Sequence, residues 1–152
     1  MINSAMMLAE RRIQKELERD LLDYKYRYKK LEKCLKLTIE IDDNILKFMI
    51  LEGYPFKTPI VYVNNINYRD RHKDKFLRYK ELLKLINETV ECPCCDTVLC
   101  KWSAGNSLIE IIKEYKEREE IYKRLKMVLN LNILRDQMGL DDLLYNYLIG
   151  YI

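Results

Sequence analysis

The sequence predicts an α+β fold in which an antiparallel β-sheet is flanked by an N-terminal helix and C-terminal helices. Apolar residues recur with helical spacing near the start and in the second half of the chain, whereas they alternate with polar residues between residues 35 and 63. Glycine and proline number only 4 and 3 in 152 residues, which favours helix. The length fits a single domain over residues 1–152.

The chain opens with a predicted helix, capped by Asn3 or Ser4. Its apolar positions follow a period near 3.6, and charged residues that we expect on a solvated face lie between them. Those apolar positions are Ile13, Leu17, Leu21, Tyr24, Tyr28 and Leu31.

A hairpin and a third strand are predicted next. Residues 35–41 alternate apolar and polar side chains, residues 42–44 (Asp-Asp-Asn) favour a turn, and residues 45–51 are again apolar and β-favouring. Residues 60–63 form a short strand. The preceding prolines lie outside the strands, where their missing N–H costs no ladder hydrogen bond.

Helical spacing returns in the second half of the chain. Residues 73–88 are predicted to be helical and belong to an insertion at 70–90, and a second helix is predicted over 107–128. A helical extension covers 129–152, with a break at Gly139 and a new start at Asp141. Between the helices predicted over 73–88 and 107–128, residues 92–102 are predicted to be a loop with a strand-like centre.

Composition excludes several classes of protein. Hydrophobic residues make up 49% and charged residues 34%, which is not typical of a disordered chain. The 27 Lys and Arg against 24 Asp and Glu leave a net charge of +3, too balanced to indicate nucleic acid as a partner. No apolar run is long enough to span a membrane, and Glu10, Arg11 and Arg12 interrupt any signal peptide. We expect a cytoplasmic protein, in its own cell or in a host cell.

Four of the five cysteines lie within nine residues, which is typical of an intracellular thiol site rather than a disulfide framework. Three interpretations are open. Cys92 and Cys95 have the Cys-x-x-Cys spacing of a zinc knuckle, but a tetrahedral site with Cys94 and Cys100 lacks a second knuckle. A Cys-x-x-Cys redox pair lacks the helix that should follow it directly. A single nucleophilic cysteine with thiol neighbours is the third.

Three further segments bear on that choice. Residues 9–17 (Ala-Glu-Arg-Arg-Ile-Gln-Lys-Glu-Leu) form a basic opening helix, and residues 54–61 (Tyr-Pro-Phe-Lys-Thr-Pro-Ile-Val) fit the pattern Tyr-Pro-Phe-x-x-Pro-x-Val. Trp102-Ser103 begins eight residues after Cys94. In these motifs, their order and the cysteine–tryptophan spacing, the chain resembles the ubiquitin-conjugating enzyme family. The resemblance covers about half of the chain.

The resemblance implies a particular fold, activity and set of partners. Cys94 would form a thioester with ubiquitin or a ubiquitin-like modifier received from an activating enzyme, and would pass it to a ligase or a lysine, without cofactor or metal. Asp96 corresponds to the family's Cys-x-Asp. The family's His-Pro-Asn before the cysteine is absent, which leaves Asn87 as the nearby asparagine, and Ala104 stands where the family has proline.

The resemblance also implies a surface for docking ligases. Its residues would be Arg11 and Arg12 of the first helix, Pro55 and Phe56, and Ser103 and Ala104. We expect an exposed Phe56, with Tyr54 and Trp102 packed beneath it. His72 lies in a polar stretch and is expected at the surface rather than as a catalytic base, and the tyrosines are expected at the edges of the core.

Two further function classes compete with the enzyme. One is a catalytically inactive relative that acts as an adaptor, which the missing tripeptide favours. The other is a small interaction domain that zinc stabilises through Cys92, Cys94, Cys95 and Cys100. Cys94 at the family's spacing favours the enzyme.

Overall fold

The protein is described here by a computed structural model that covers residues 4–86 and 96–152. The prediction of an α+β fold, with an N-terminal helix, an antiparallel sheet and C-terminal helices, is confirmed. Five strands form one antiparallel sheet in the order β1-β2-β3-β4-β5. The elements are α1 (Ser4–Arg19), β1 (Tyr26–Lys30), β2 (Cys34–Ile41), β3 (Asn44–Leu51), β4 (Ile60–Val63), β5 (Ile66–Asn67), α2 (Tyr68–Leu85), α3 (Leu108–Met138) and α4 (Asp142–Ile149).

The predicted hairpin of β2 and β3 is confirmed, as is the third strand at β4. Asp42 and Asp43 form the connecting turn with φ of 46° and 65°. Left-handed backbone at both central residues gives a turn whose twist matches that of the strands, and Asp and Asn tolerate it better than most residues. Asn64 and Asn65 form the same kind of turn between β4 and β5, with φ of 49° and 67°.

The first helix is shorter than its apolar spacing indicates. It ends at Arg19, and residues 26–30 form β1, the edge strand, instead of continuing the helix. Tyr24 and Tyr28 are four residues apart, a spacing that fits both a helical and a strand period. In the sheet, Tyr26 lies opposite Ile39 and Tyr28 opposite Leu37, so the alternation of tyrosine with basic residues decides the structure here.

One face of the sheet, together with α1 and α3, encloses the main core. The side chains at 35, 37, 39 and 41 in β2 are buried, and so are those at 46, 48 and 50 in β3. Ile13 of α1 and Ile112 of α3 belong to the same cluster. The expectation that tyrosines occupy core edges is wrong for Tyr68 and Tyr115, which are almost completely buried.

The second helix begins five residues earlier than predicted. The side chain of Asn67 accepts a hydrogen bond from the N–H of Arg69, so the helix starts directly after β5. Its predicted apolar face is confirmed, because Phe76, Leu83 and Ile86 pack with α3 residues in a second, smaller cluster. The predicted end at 88 lies outside the described residues.

The third helix is continuous over 31 residues, so the boundary expected at 129 falls inside it. Ser107 and Glu110 form a capping box at its start, and Gly139 ends it with a left-handed φ of 64°. The side chain of Asp141 then caps α4 as expected. Within residues 4–86 and 96–152, no helix has both the length and the apolar character needed to cross a membrane.

Candidate functional site

A buried glutamate joins the three segments on which the family resemblance rests. The carboxylate of Glu16 in α1 accepts a hydrogen bond from the Tyr54 hydroxyl at 2.7 Å and from the Leu108 N–H at 2.9 Å. Arg12, one helical turn earlier, donates to the same carboxylate at 2.7 Å. Because only 1% of Glu16 is exposed, these donors replace the water that the carboxylate gives up.

Further hydrogen bonds hold the two loops against each other. The indole N–H of Trp102 donates to the Pro55 carbonyl at 2.7 Å, and the rings of Trp102 and Tyr54 lie 5.9 Å apart. Arg12 also donates to the Asn106 carbonyl at 3.1 Å. Burial raises the pKa of Tyr54, so its hydroxyl remains protonated and able to donate to Glu16. The Tyr-Pro-Phe loop and the Trp-Ser loop therefore share one support.

The loop after Trp102 is fixed by its own turn. The Asn106 side-chain oxygen accepts from the Ser103 N–H at 2.7 Å and lies 3.0 Å from the Ser103 hydroxyl. The Asn106 amide in turn donates to Glu110 at 2.6 Å. Ser103 is thus presented on a rigid turn immediately before α3 rather than on an open loop.

The six residues expected to contact a ligase differ in how accessible they are. Phe56 is 82% exposed, which confirms that prediction, and Arg11 and Ser103 are also exposed. Pro55 and Ala104 are half-buried. Arg12 is half-buried, and its guanidinium donates to the Glu16 carboxylate and to the Asn106 carbonyl. Arg12 therefore positions the loops against α1.

The loop that begins at Asp96 is bonded to the two long helices. Asp96 is exposed, and Lys101 donates to its carboxylate, which lowers the pKa of that carboxyl. Arg118 of α3 donates to the Asp96 carbonyl oxygen. Glu114 of α3 accepts from the Val98 N–H at 2.7 Å and from the Tyr68 hydroxyl at 2.7 Å. The described part of this loop, from residue 96 on, forms turns, so the predicted strand-like centre is not found there.

His72 is completely buried, and the expectation of a surface histidine is wrong. Because α2 begins at Tyr68, His72 lies four residues after Tyr68 and four before Phe76, on the buried stripe of the helix. Its Nδ1 lies 3.0 Å from the Tyr122 hydroxyl, whereas its Nε2 has no hydrogen-bond partner among the residues that the structure describes. Burial lowers the pKa of His72 to about 3, so the ring is neutral at pH 7.

Two of the expected catalytic residues, Cys94 and Asn87, lie outside the described residues, as do Cys92 and Cys95. Of the other cysteines, Cys34 is buried in β2 and Cys100 is exposed. In the parts of the chain that the structure describes, no group of three or more histidine, cysteine or acidic side chains could hold a metal ion.

A cleft of about 310 Å³ lies beside the Asp96 loop. Two of its lining residues are joined by a hydrogen bond, in which the Arg69 guanidinium donates to the Leu99 carbonyl at 3.0 Å. The side chains around it come from the start of β4, the start of α2 and the Asp96 loop: Thr58, Pro59, Ile60, Val61, Asn67, Arg69 and Leu99.

Sequence reasoning missed the two acidic residues that organise the site, the buried Glu16 and the half-buried Glu114. A signal existed for Glu16, which lies three residues after Ile13 and directly before Leu17, on the apolar stripe of α1. A carboxylate in such a position is buried only where donors converge on it.

Comparisons with protein-family models, curated proteins and solved structures found no match to this chain.

Proposed function

We propose that the chain is a ubiquitin-conjugating-enzyme-like protein that carries ubiquitin or a ubiquitin-like modifier as a thioester on Cys94. One observation supports this most. The basic opening helix, the Tyr-Pro-Phe loop and the Trp-Ser loop are far apart in sequence, yet Glu16 and Trp102 bind them into one unit. Motifs that matched by chance would have no reason to meet around one buried carboxylate.

The proposed reaction is two successive acyl transfers. The Cys94 thiolate attacks the carbonyl carbon of the thioester on the activating enzyme, a new C–S bond forms, and the thiolate of the activating enzyme leaves. The modifier is then passed to a ligase thiol or, with loss of a proton, to a lysine amine. A thiol with a pKa of about 8.5 is a few per cent ionised at pH 7, so the first step needs no strong base.

The rigid loop pair supplies the docking surface for a ligase. Phe56 projects from a loop that is anchored through Tyr54 and Pro55, and Ser103 projects from a turn anchored through Asn106. An exposed aromatic side chain on a fixed base gives contact area at a low cost in conformational entropy. Arg11, on the exposed face of α1, adds a positive charge to this surface.

Transfer to lysine without a ligase should be slow. The tripeptide that the resemblance assigns to oxyanion stabilisation is absent, and the loss of one oxyanion donor typically costs about 2.7–4 kcal/mol in the transition state. Transfer to a ligase thiol exchanges one thioester for another and is less demanding. Fast discharge to free lysine would contradict this expectation, and Asn87→Ala would then show whether Asn87 is the donor.

The test is a loading assay with activating enzyme, ATP and ubiquitin. Wild type should form an adduct that thiol reductants remove, and Cys94→Ser should form a reductant-resistant oxyester or no adduct. Cys92→Ser, Cys95→Ser and Cys100→Ser are matched controls that should load normally. If all four substitutions abolish loading and the protein contains stoichiometric zinc, the thiols are structural ligands and the proposal fails.

A second candidate function is that of an adaptor on the same fold. The observation that favours it is that β5 leads directly into α2 at Tyr68, in a stretch with no His-Pro-Asn. An adaptor would form no adduct and contain no zinc, but it would still bind a ligase through Phe56. Pull-down of ligase domains with wild type and Phe56→Ala, run beside the loading assay, separates the two functions.

A further inference from the structure

The end of α3 and all of α4 form a helical hairpin. Near the end of α3, Arg135 donates to the carboxylate of Asp142 at the start of α4. About three turns earlier in α3, Arg124 donates to the carbonyl oxygen of Ile152 at 2.9 Å, so the two helices run antiparallel. Residues 133–138 of α3 are all exposed. An exposed stretch of that length covers more than one turn, so this end of α3 is open to solvent on most sides.

An apolar stripe runs along the open side of α3. Its residues follow one another at spacings of four, three and four, which puts them on one face of the helix: Met127, Leu131, Leu134 and Met138. Leu131 is half-buried and the others are exposed, with Met138 at 74%. The same alternation of three and four marks the contact positions of a coiled coil, in which a second helix packs on the stripe. We call these four residues the α3 stripe.

Helix α4 leaves the α3 stripe uncovered and adds apolar surface of its own. It packs on another side of α3, where the Tyr145 hydroxyl donates to the Asn132 side chain. Leu144, Tyr147 and Tyr151, again three and four residues apart, are exposed, with Tyr151 at 75%. The hairpin therefore presents two apolar stripes to solvent.

The exposed apolar area of the hairpin is large for a chain of this length. From the exposed fractions of their side chains, the two stripes together present on the order of 800 Å². That exceeds the roughly 300–600 Å² of the largest apolar patch on a typical monomer. It matches the ~800 Å² that one partner contributes to a protein–protein interface of standard size.

The side chains that border the α3 stripe indicate what covers it. Asn130 and Gln137 lie along one border, at positions whose charges set the choice of partner in coiled coils. An amide both donates and accepts hydrogen bonds, so it can pair with a copy of itself, whereas a charged side chain would repel its own copy. On the other border, Arg135 is neutralised by Asp142 of its own chain. Asp136 lies on the opposite side of α3 from the stripe.

A membrane surface fits this hairpin less well. Helices that lie on membranes carry lysine and arginine on their polar face, which anionic lipids attract. Residues 127–152 contain one basic residue, Arg135, against the three aspartates at 136, 141 and 142. Anionic lipids would therefore repel the hairpin, whereas a surface with uncharged borders can meet its own copy without a cost in repulsion.

We propose that the α3 stripe packs against the same stripe of a second copy of this chain. A two-fold axis sets each stripe against its own copy, so the contact closes at two chains. The apolar side chains of α4 extend the interface beyond the four residues of the α3 stripe. The proposal goes beyond the thioester chemistry, because the interface shares no residue with Cys94 or with the Phe56 loop.

Sedimentation velocity between ~1 and ~200 µM protein, in reducing buffer to exclude disulfides, tests the proposal. Wild type should approach twice the mass of one chain at high concentration and dissociate on dilution. Met127→Gln/Met138→Gln should raise the Kd of the dimer at least tenfold, since both chains lose two apolar contacts while glutamine preserves length and helix propensity. Leu77→Gln/Leu85→Gln removes two comparably exposed side chains from α2, so this matched control should dimerise like wild type.

Thermal unfolding separates association from folding. The melting temperature of wild type should rise with protein concentration, because association stabilises the folded state, whereas that of Met127→Gln/Met138→Gln should not. At the lowest concentration the two proteins should melt together, since both methionines are exposed in one chain. A lower melting temperature of the variant there would mean that the methionines stabilise the single chain, and would overturn the proposal.

Three further results would also overturn the proposal. The first is a wild type that stays monomeric at ~200 µM or grows beyond two chains. The second is equal weakening of the dimer in both double variants. The third is a monomeric wild type that cosediments with vesicles of phosphatidylcholine and phosphatidylserine, which would assign the α3 stripe to a lipid surface. None of these outcomes bears on whether Cys94 loads ubiquitin.

Discussion

Two regions of the molecule bury an ionisable side chain, Glu16 in one and His72 in the other, and they differ in how many hydrogen-bond partners that side chain has. Near the loops, the Glu16 carboxylate receives hydrogen bonds from Arg12, Tyr54 and Leu108. Between α2 and α3, the His72 ring has, within residues 4–86 and 96–152, one hydrogen-bond partner at Nδ1 and none at Nε2. Arg71, Lys75 and Arg118 also surround His72 with positive charge, which lowers its pKa further.

The difference shows what each region contributes. Donors from three separate parts of the chain converge on Glu16, so its burial specifies how two loops sit on a helix. His72 is buried as a neutral ring against the edge of Tyr68, with ring centres 4.2 Å apart, and serves as packing. A buried polar group therefore points to an organised site only where its partners come from several segments.

The largest effect should come from removing the carboxylate at the first region. Glu16→Ala leaves the Tyr54 hydroxyl and the Leu108 N–H buried without an acceptor, each at a cost of about 1–3 kcal/mol. We expect a loss of about 2–4 kcal/mol in the free energy of unfolding, measured by urea titration. Glu18→Ala, two residues along on the exposed side of α1, is the control and should change stability by less than about 0.5 kcal/mol. Equal losses in both variants would mean that Glu16 is not the organising group.

In the second region, the buried His72 should make the free energy of unfolding depend on pH. The pKa of His72 is about 3 in the folded protein, below its ordinary value of 6.5, so the unfolded chain binds a proton more readily between these values. Stability from this group is complete above pH 6.5 and falls as the pH is lowered toward 3. At pH 4.5 the loss should be about 2.5 kcal/mol relative to pH 7.

The comparison that isolates this effect is His72→Phe, which keeps a ring but cannot titrate. His72 is the single histidine of the chain, so carboxylates account for the remaining acid sensitivity in both proteins. Between pH 7 and pH 4.5, wild type should lose about 2.5 kcal/mol more than the variant in urea unfolding. Parallel pH profiles would show that the ring is accessible to protons in the folded state.

Much of the fold could be predicted because its local signals agree with its packing. Alternation and turn chemistry both place the β2–β3 hairpin, and Gly139 and Asp141 mark the break between α3 and α4. The end of α1 and the start of β1 could not be predicted, because the spacing of Tyr24 and Tyr28 fits both a helical and a strand period. Only pairing with β2 selects the strand. The start of α2 was missed because Tyr68 to His72 look polar until Tyr68 and His72 are seen to share one buried stripe.

The candidate site was predictable in its outer parts and not in its support. Phe56 between two prolines indicated an exposed aromatic, and 82% exposure confirms it. Nothing in the sequence pairs Glu16 with Tyr54 and Leu108, since contacts over 38 and 92 residues depend on the finished fold. The roles of Cys94 and Asn87 remain predictions from the resemblance.

The smallest effect on stability should come from the outer end of the loop that Glu16 supports. Phe56→Ala removes a side chain that is 82% exposed, so the free energy of unfolding should change by less than about 0.5 kcal/mol. Binding of a ligase domain, measured by isothermal titration calorimetry, should nevertheless weaken tenfold or more, as for an aromatic hot spot that costs about 2 kcal/mol. Lys57→Ala, on the neighbouring exposed residue, is the control for a nonspecific change in the loop. If both variants bind the ligase domain as wild type does, the loop has a structural role and no role in binding. If Phe56→Ala unfolds the protein, the Phe56 ring contributes to packing that its exposure does not reveal.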